Sequence, residues 1–324
     1  MGSSTPALDT LDKKASAPTR KPPAASGRHV TPSAAAGVVP AGRKNLFCRL
    51  RERPLAYAAA ALLGLVVCGA LLAPLLSPHS ADAIDISNKG LPPSFSHPFG
   101  TDDMGRDLFL RVLYGGRISI AVGVVAVAFS LVVGIVCGGA AGYFGGLGGA
   151  VVMRTADLMM SIPVFLIVLL FASLFTPGFF WLCVLIGSIQ WMEVARVVRS
   201  VVISTKQNEF VLAAKALGVP ELRILWRHVL PHTTGVVFVT ATLGIAQAIM
   251  IESTLSFLGF GLQPPAVSWG GLLRHAQGQL AVTPWTAVFP GLMIFLTVLC
   301  CYILGDFLKS ALNPTRRSFH RISR

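Results

Sequence analysis

Residues 209–231 read EFVLAAKALGVPELRILWRHVLP, a polar and basic segment inside an otherwise apolar sequence. This segment predicts two short helices. One is expected to end at Gly218, because glycine can adopt the left-handed conformation that closes a helix, and the next to open with Pro220 and Glu221, which suit a first turn. The apolar residues at helical spacing are Phe210, Val211, Ala214 and Leu217 in the first helix and Leu222, Leu225, Trp226 and Val229 in the second. Because charged helices are costly inside lipid, we expect this helix-turn-helix to lie outside the membrane and to contact another protein; an amphipathic hairpin on the bilayer surface is the alternative.

The rest of the sequence predicts an all-α, polytopic membrane protein. Hydrophobic residues make up 53% of the chain and charged residues 13%, against about 25% charged residues in soluble domains. A bilayer core of about 30 Å requires about 20 apolar residues in a helix. Runs of this size lie at 54–77, 118–144, 158–192, 233–259 and 276–305. The third run is too long for one span and breaks at Thr176-Pro177-Gly178, so it predicts a helical hairpin and brings the total to six transmembrane helices.

The positions of the basic residues predict the orientation of the chain. With both termini in the cytoplasm, 22 of the 27 lysine and arginine residues fall on the cytoplasmic side, in agreement with the positive-inside rule. Residues 209–231 are then cytoplasmic. The net charge of +13 follows mostly from this topology, and since no nucleic-acid-binding motif accompanies it, we expect no nucleic acid partner.

The spacing within the helix-turn-helix resembles that of a known family. The segment resembles the Glu-Ala-Ala…Gly…Ile-x-Leu-Pro loop of ABC-importer permeases. Three residues separate Ala213-Ala214 from Gly218, and ten residues separate Gly218 from Val229-Leu230-Pro231. Leu212 stands where the family has glutamate, and His228 where it has isoleucine. The resemblance implies that this loop docks into a groove on a cytoplasmic ATPase and transmits its closure. The residues assigned to this coupling are Glu209, Ala213, Ala214, Lys215, Gly218, Pro220, Arg223 and Pro231.

Further segments resemble the C-type permease subunit of dipeptide and oligopeptide importers. They are residues 97–107 with 113–119, 157–163, 252–270 and 290–314, in the order of that family. The resemblance implies a subunit of the bacterial inner membrane that pairs with a homologous second permease, two ABC ATPase subunits and an extracytoplasmic solute-binding protein, with lipids around its spans. It implies no cofactor, no metal site and no catalytic residue. The sequence also contains no Gly-Lys-Ser or Gly-Lys-Thr of a P-loop, so ATP hydrolysis is expected on the partner subunits.

The predicted domain organisation combines the spans with this resemblance. Residues 97–107 are expected to receive the binding protein or shape the entrance, or to form only a structured outer loop. The predicted parts are a disordered, basic cytoplasmic tail at 1–53, the first transmembrane helix with an extracytoplasmic loop at 54–116, the ABC permease transmembrane domain at 117–308 with its coupling loop at 205–232, and a cytoplasmic C-terminal tail at 309–324.

Three polar residues of the fifth span, Gln247, Glu252 and Ser256, are candidates for the translocation path. Glu252 could face the path and meet a peptide's α-amino group or a metal cation, or it could hold a helix contact. Dipeptides and oligopeptides are the expected cargo, with nickel and glutathione as open alternatives. A secondary transporter or channel is a further alternative, but it would need inverted repeats or polar residues along several spans.

A series of glycines runs down the second span at four-residue intervals. Its members are Gly134, Gly138, Gly142 and Gly146. Small residues on one helical face let two helices approach closely. The series predicts either close packing within the chain or a contact with another subunit.

Overall fold

Long apolar helices make up most of the protein in the computed structural model, which describes residues 50, 53–76, 83–175 and 178–312. The α-helices are α1 (Pro54–Leu76), α2 (Leu108–Tyr143), α3 (Gly146–Met160), α4 (Val164–Leu174), α5 (Phe179–Thr205), α6 (Glu209–Ala216), α7 (Glu221–Ile224), α8 (Thr234–Leu258), α9 (Trp269–Ala276) and α10 (Trp285–Leu312). Short 3₁₀ segments lie at Ile86–Asn88, Leu230–Thr233 and Gln277–Gln279, and a π-helical turn lies at Leu225–Val229. The described residues form no β-strand beyond an isolated bridge between Thr101 and Asp107. The prediction of an all-α protein is confirmed.

Five helical segments are long and apolar enough to cross a membrane, and the bent pair of α3 and α4 makes a sixth if it counts as one span. The prediction of a polytopic membrane protein agrees with this count. α2, α5 and α8 pack together at the centre, and α1 and α10 pack against α2 and α8. The predicted disordered tail at 1–53, apart from residues 50 and 53, and the C-terminal tail from residue 313 onward lie outside the described residues.

The first arm of the predicted hairpin is not one straight helix. α3 ends at Met160, α4 begins at Val164, and the two helices are bent by 85°. Pro163 has no N–H to donate, and the Ser161 hydroxyl donates to the Leu158 carbonyl at 2.6 Å, so regular helical hydrogen bonding stops here. The break predicted between the two arms falls at residues 176–178, of which 176 and 177 lie outside the described part of the chain.

Two spans begin at residues other than those predicted. α2 starts at Leu108 rather than at 118, because the Asp107 carboxylate accepts a hydrogen bond from the Leu110 N–H at 3.1 Å and caps the helix. The domain boundary predicted at 116/117 therefore falls inside α2. The last span starts at Trp285 rather than at 276, because residue 276 is the end of the separate helix α9 and Pro284 comes directly before the first turn of α10.

The glycines of α2 pack against α5. A Cβ atom at Gly138 would lie 2.3 Å from the Ala195 carbonyl oxygen, and one at Gly134 would lie 2.5 Å from Val194 Cβ. A Cβ atom at Gly142 would lie 3.0 Å from the Arg199 carbonyl oxygen of α5, whereas Gly146 lies at the start of α3 with open space around it. Packing within the chain is therefore confirmed for three members of the series but not for Gly146.

Residues 83–107 fold against the neighbouring ends of α2 and α10. The Phe99 ring stacks on Phe289 with 4.0 Å between centroids, and the Trp285 indole N–H donates to the Thr101 carbonyl at 3.1 Å. The Asp107 carboxylate also lies 2.9 Å from His97 Nδ1. Residues 97–107 thus form a structured loop, while their contact with a binding protein stays a prediction.

Candidate functional site

The turn predicted inside residues 209–231 is present. Gly218 has a φ of 74°, in the left-handed region. The Gly218 N–H donates to the Lys215 carbonyl at 3.0 Å and the Val219 N–H to the Ala214 carbonyl at 3.2 Å, so these bonds satisfy carbonyls at the end of α6. Pro220 then caps α7. The predicted helix-turn-helix geometry is confirmed.

The second helix of this loop continues into the fifth span. α7 has only four residues and is followed by the π-helical turn and the 3₁₀ segment, which lead into α8. The whole stretch from Glu221 to Leu258 is one helical segment of 38 residues. The loop is therefore joined to α8 without a flexible linker.

The buried face of the loop differs from the predicted one. Of the eight apolar residues, Val211, Ala214, Leu225 and Val229 are buried, and Phe210, Leu217, Leu222 and Trp226 are exposed. Ile224, which the periodicity missed, is fully buried and packs in one cluster with Tyr143 and Val198. Of the exposed residues only Trp226 lies in the π-helical turn, where the spacing is wider than 3.6 residues per turn, so the α-helical periodicity fails there, but this turn does not explain the exposure of Phe210, Leu217 and Leu222.

The exposed face of the loop is unusually apolar for a segment predicted to lie in water. Leu217 is 83% exposed and Trp226 55%, and Phe210, Leu212 and Leu222 are exposed beside them. Large exposed apolar groups close together in the chain mark a contact with a protein or a membrane. Seven of the eight residues assigned to coupling are also exposed, namely Glu209, Ala213, Lys215, Gly218, Pro220, Arg223 and Pro231, whereas Ala214 is buried.

Basic side chains hold the loop against the end of α2. Lys215 Nζ lies 3.3 Å from Glu221 Oε1 across the turn and 5.3 Å from the centre of the Tyr143 ring. Lys206 Nζ donates to the carbonyls of Gly142 and Tyr143 at 2.9 and 3.4 Å. These carbonyls are in the last turn of α2, where cations are favoured. The sequence analysis missed Tyr143 and Lys206, because their partners lie more than sixty residues away in the chain.

Replacement of Lys206 by methionine tests this contact. We expect the variant to lose about 2 kcal/mol of stability, since one charged donor serves two carbonyl groups, and its melting temperature to fall by about 3 °C. Thermal unfolding of the purified chain in detergent measures the effect. Lys309→Met, at an exposed lysine of α10, is the matched control. Equal melting temperatures for the two variants would show that the Lys206 contact contributes nothing.

The candidates for the translocation path are not brought together on one surface. Glu252 is fully buried and accepts hydrogen bonds from Ser119 Oγ at 2.9 Å and Ser256 Oγ at 2.7 Å, and Ser256 is also buried. Ser119 in turn accepts from the Trp269 N–H at 3.2 Å. Glu252 therefore lies at a contact between α2, α8 and α9. Gln247 is exposed. A role of these residues in a translocation path stays a prediction.

The long apolar helices and the exposed helix-turn-helix between two of them place the protein in the class of polytopic transport permeases. The chain belongs to the family of binding-protein-dependent transport system inner membrane components, which matches residues 107–318. The N-terminal transmembrane domain of oligopeptide transport permease C matches residues 44–93. The predicted family and a multi-pass location in the inner membrane are confirmed.

Curated relatives match most of the chain. The dipeptide transport system permease protein DppC of Bacillus subtilis (strain 168) is 39% identical over 270 residues, which are 83% of this chain and 84% of that protein. The oligopeptide transport system permease protein OppC of the same organism is 35% identical over 274 residues, 85% of this chain and 90% of that protein. The OppC protein of Haemophilus influenzae is 38% identical over 264 residues, 81% and 85% of the two chains. The chain is a transport permease component rather than an enzyme.

Proposed function

We propose that this chain is one of two permease subunits of an ATP-driven importer of dipeptides and oligopeptides. The observation that carries the proposal is the exposed apolar face of residues 209–231, on a loop that is cytoplasmic if the chain follows the positive-inside rule. Such a face suits a groove on an ATPase. The peptide cargo is supported by the relatives, which are dipeptide and oligopeptide permeases.

In this proposal the other permease subunit is homologous, two ABC ATPases bind from the cytoplasm, and a solute-binding protein delivers peptide from the other side. Both termini are cytoplasmic, and membrane lipids surround the spans. ATP hydrolysis takes place on the ATPases. The residues of the coupling loop, 205–232, contact the ATPase, with Ala213 and Gly218 allowing close backbone approach. Ala214, which the sequence also suggests for this role, is buried against the chain itself.

Coupling in this proposal uses the continuity of the loop with α8. Closure of the ATPases displaces α6 and α7, and the segment Glu221–Leu258 carries this displacement to the level of Glu252. Two states of the bundle, open to either side, then alternate as the ATPases close and reopen. The translocation path lies beside α8 in the proposal, where Gln247 is exposed and Glu252 and Ser256 form the polar contact with α2.

Uptake of a radiolabelled dipeptide by a strain deleted for this chain tests the proposal. We expect ATP-dependent dipeptide uptake to be lost in the deletion strain and restored by the intact chain, while nickel uptake stays the same in both. The matched control is restoration with the variant Gly218→Asp, whose added side chain would meet nothing within 4 Å in this chain and which should not rescue uptake. Rescue of nickel uptake alone would move the cargo to a metal ion, and rescue of neither would contradict the peptide proposal.

A further inference from the structure

A cavity of about 430 Å³ lies between four of the long apolar helices, α1, α2, α8 and α10. Each of these helices is long and apolar enough to cross a membrane, alone or as part of a longer helical segment. The volume is within the range of sites that bind small molecules. Among the described residues, neither those of 209–231 nor Glu252 and its serine partners line the cavity, so the roles discussed above do not account for it.

The walls of the cavity are mostly apolar. Leu63 of α1, Ile120 of α2, Ile249 of α8 and Leu304 of α10 are among them, and the described lining includes no charged side chain. Val124 also lines the cavity and is 48% exposed, so the cavity is open at this edge. Because the surroundings of membrane-spanning helices are lipid rather than water, a molecule enters this cavity from the bilayer.

One hydroxyl group in the cavity has no hydrogen-bond partner. Thr297 lines the cavity and is 1% exposed, and its Oγ1 bonds to no other group within the part of the chain that the structure describes. A helical threonine can donate to the carbonyl one turn earlier, and Thr240, Thr242 and Thr254 of α8 do so at 3.0, 2.9 and 2.8 Å. Since burial of an unpaired hydroxyl is unfavourable, Thr297 indicates a partner from outside the chain.

Two more polar side chains line the same cavity. Cys301 lies one helical turn after Thr297 on α10, and its thiol is free and a weak donor. The Thr242 hydroxyl donates to the Phe238 carbonyl but keeps lone pairs that can accept. An apolar cavity with a few polar groups is typical of sites that orient a mostly apolar ligand through one or two hydrogen bonds.

We propose that this cavity binds a membrane-dissolved molecule with an apolar body and a single hydroxyl or carbonyl group, whose oxygen accepts a hydrogen bond from Thr297 Oγ1. A medium-chain alcohol has this chemistry. A lipid acyl chain would fill the apolar walls but would leave the Thr297 hydroxyl unpaired. The inference goes beyond peptide import and does not depend on it, because the site belongs to this chain alone and its ligand comes from the bilayer.

Photolabelling of the full chain in nanodiscs tests the site. The probes are 3-azioctanol, which carries a diazirine and a hydroxyl group, and 3-azioctane, which has the same chain and diazirine without the hydroxyl. Both are compared at equal concentration in the nanodisc lipid, and mass spectrometry locates the label. We expect 3-azioctanol to label residues 242–249 and 297–308 about tenfold more than 3-azioctane does, because only the alcohol has an oxygen for the Thr297 hydroxyl.

The variant Thr297→Val should reduce labelling by 3-azioctanol about tenfold and leave labelling by 3-azioctane unchanged, since valine lacks the hydroxyl. Thr242→Val is the matched control, because Thr242 lines the same cavity but its hydroxyl already donates to Phe238. This control should keep the preference for the alcohol. Removal of an unpaired buried hydroxyl does not cost stability, so we expect Thr297→Val to melt no lower than the wild-type chain.

Three results would overturn the inference. Equal labelling of residues 242–249 and 297–308 by the two probes would assign the cavity to lipid acyl chains. Labelling by 3-azioctanol that Thr297→Val leaves unchanged, or that falls outside these residues, would show that Thr297 does not hold the ligand. Loss of labelling when the chain is purified with a second permease subunit would show that the other subunit covers the cavity. Dipeptide uptake is not measured here, so a failure of the proposed function would leave the inference standing.

Discussion

Replacing Gly138 by valine is expected to prevent the chain from accumulating in folded form. A Cβ atom at this position would lie 2.3 Å from the carbonyl oxygen of Ala195 and 2.7 Å from its Cα atom. Both are backbone atoms of α5 and cannot rotate away, so α2 and α5 would have to separate along their shared face. We expect a loss of about 3 kcal/mol or more, which is a large part of the stability of most proteins.

Fluorescence-detected size-exclusion chromatography of a tagged chain measures the effect. The matched control is Gly64→Val, at a glycine of α1 where a Cβ atom would meet nothing within 4 Å. Both variants place valine in an apolar helix, so a difference between them reports the contact with α5. If the Gly138→Val protein runs as a single folded peak and has the same melting temperature as the Gly64→Val protein, the packing of α2 on α5 is contradicted.

Replacing Gly218 by aspartate is expected to leave the chain folded but to detach the ATPase subunits. No atom lies within 4 Å of the place where its Cβ would be, and aspartate tolerates the left-handed conformation better than most residues. The new carboxylate would therefore point away from this chain toward the docked partner. Burial of an unpaired charge in that contact should lower the recovery of ATPase by about tenfold or more.

Co-purification of the ATPases with a tagged chain, together with dipeptide uptake, measures this loss. Gly178→Asp is the control for an added carboxylate, because Gly178 is exposed, has open space around it and lies outside the loop, at a helix N-cap where aspartate is favoured. Normal ATPase recovery with this control would show that a new surface carboxylate does not by itself detach the ATPases. Normal ATPase recovery and normal uptake with Gly218→Asp would refute the assignment of residues 209–231 as the coupling loop.

The spans could be predicted from the sequence because each is a long apolar run, and the turn at Gly218 because a glycine closes α6 there. The bend before α4 was harder to predict. Pro163 lies near the start of the apolar run at 158–192, and hydropathy does not distinguish a bent helix pair from a straight span. The buried face of the loop was mispredicted mostly before the π-helical turn, because the chain offers more apolar residues there than the contact with Tyr143 and Val198 can cover, and periodicity does not tell which of them are covered.

The candidate sites show what a single sequence leaves out. Glu252 is conspicuous as an acid in an apolar span, but Ser119, its hydrogen-bond partner, lies 133 residues earlier in the chain. Arg106 lies in the loop before α2 and Arg274 in α9, and only the fold brings them to one cavity. Residue types and helical periodicity predict local structure, whereas these contacts depend on how helices far apart in the chain pack.

The helical segment from Glu221 to Leu258 fixes the directions in which side chains at its two ends point relative to each other. Its 38 residues run through a π-helical turn and a 3₁₀ segment into α8 without a flexible linker. The number of residues between the exposed Trp226 and the buried Glu252 therefore determines the direction in which each side chain points relative to the other. One residue added to or removed from 227–233 would turn Trp226 by about 100° relative to Glu252. The number of residues in this stretch therefore fixes the relative orientation of the two side chains.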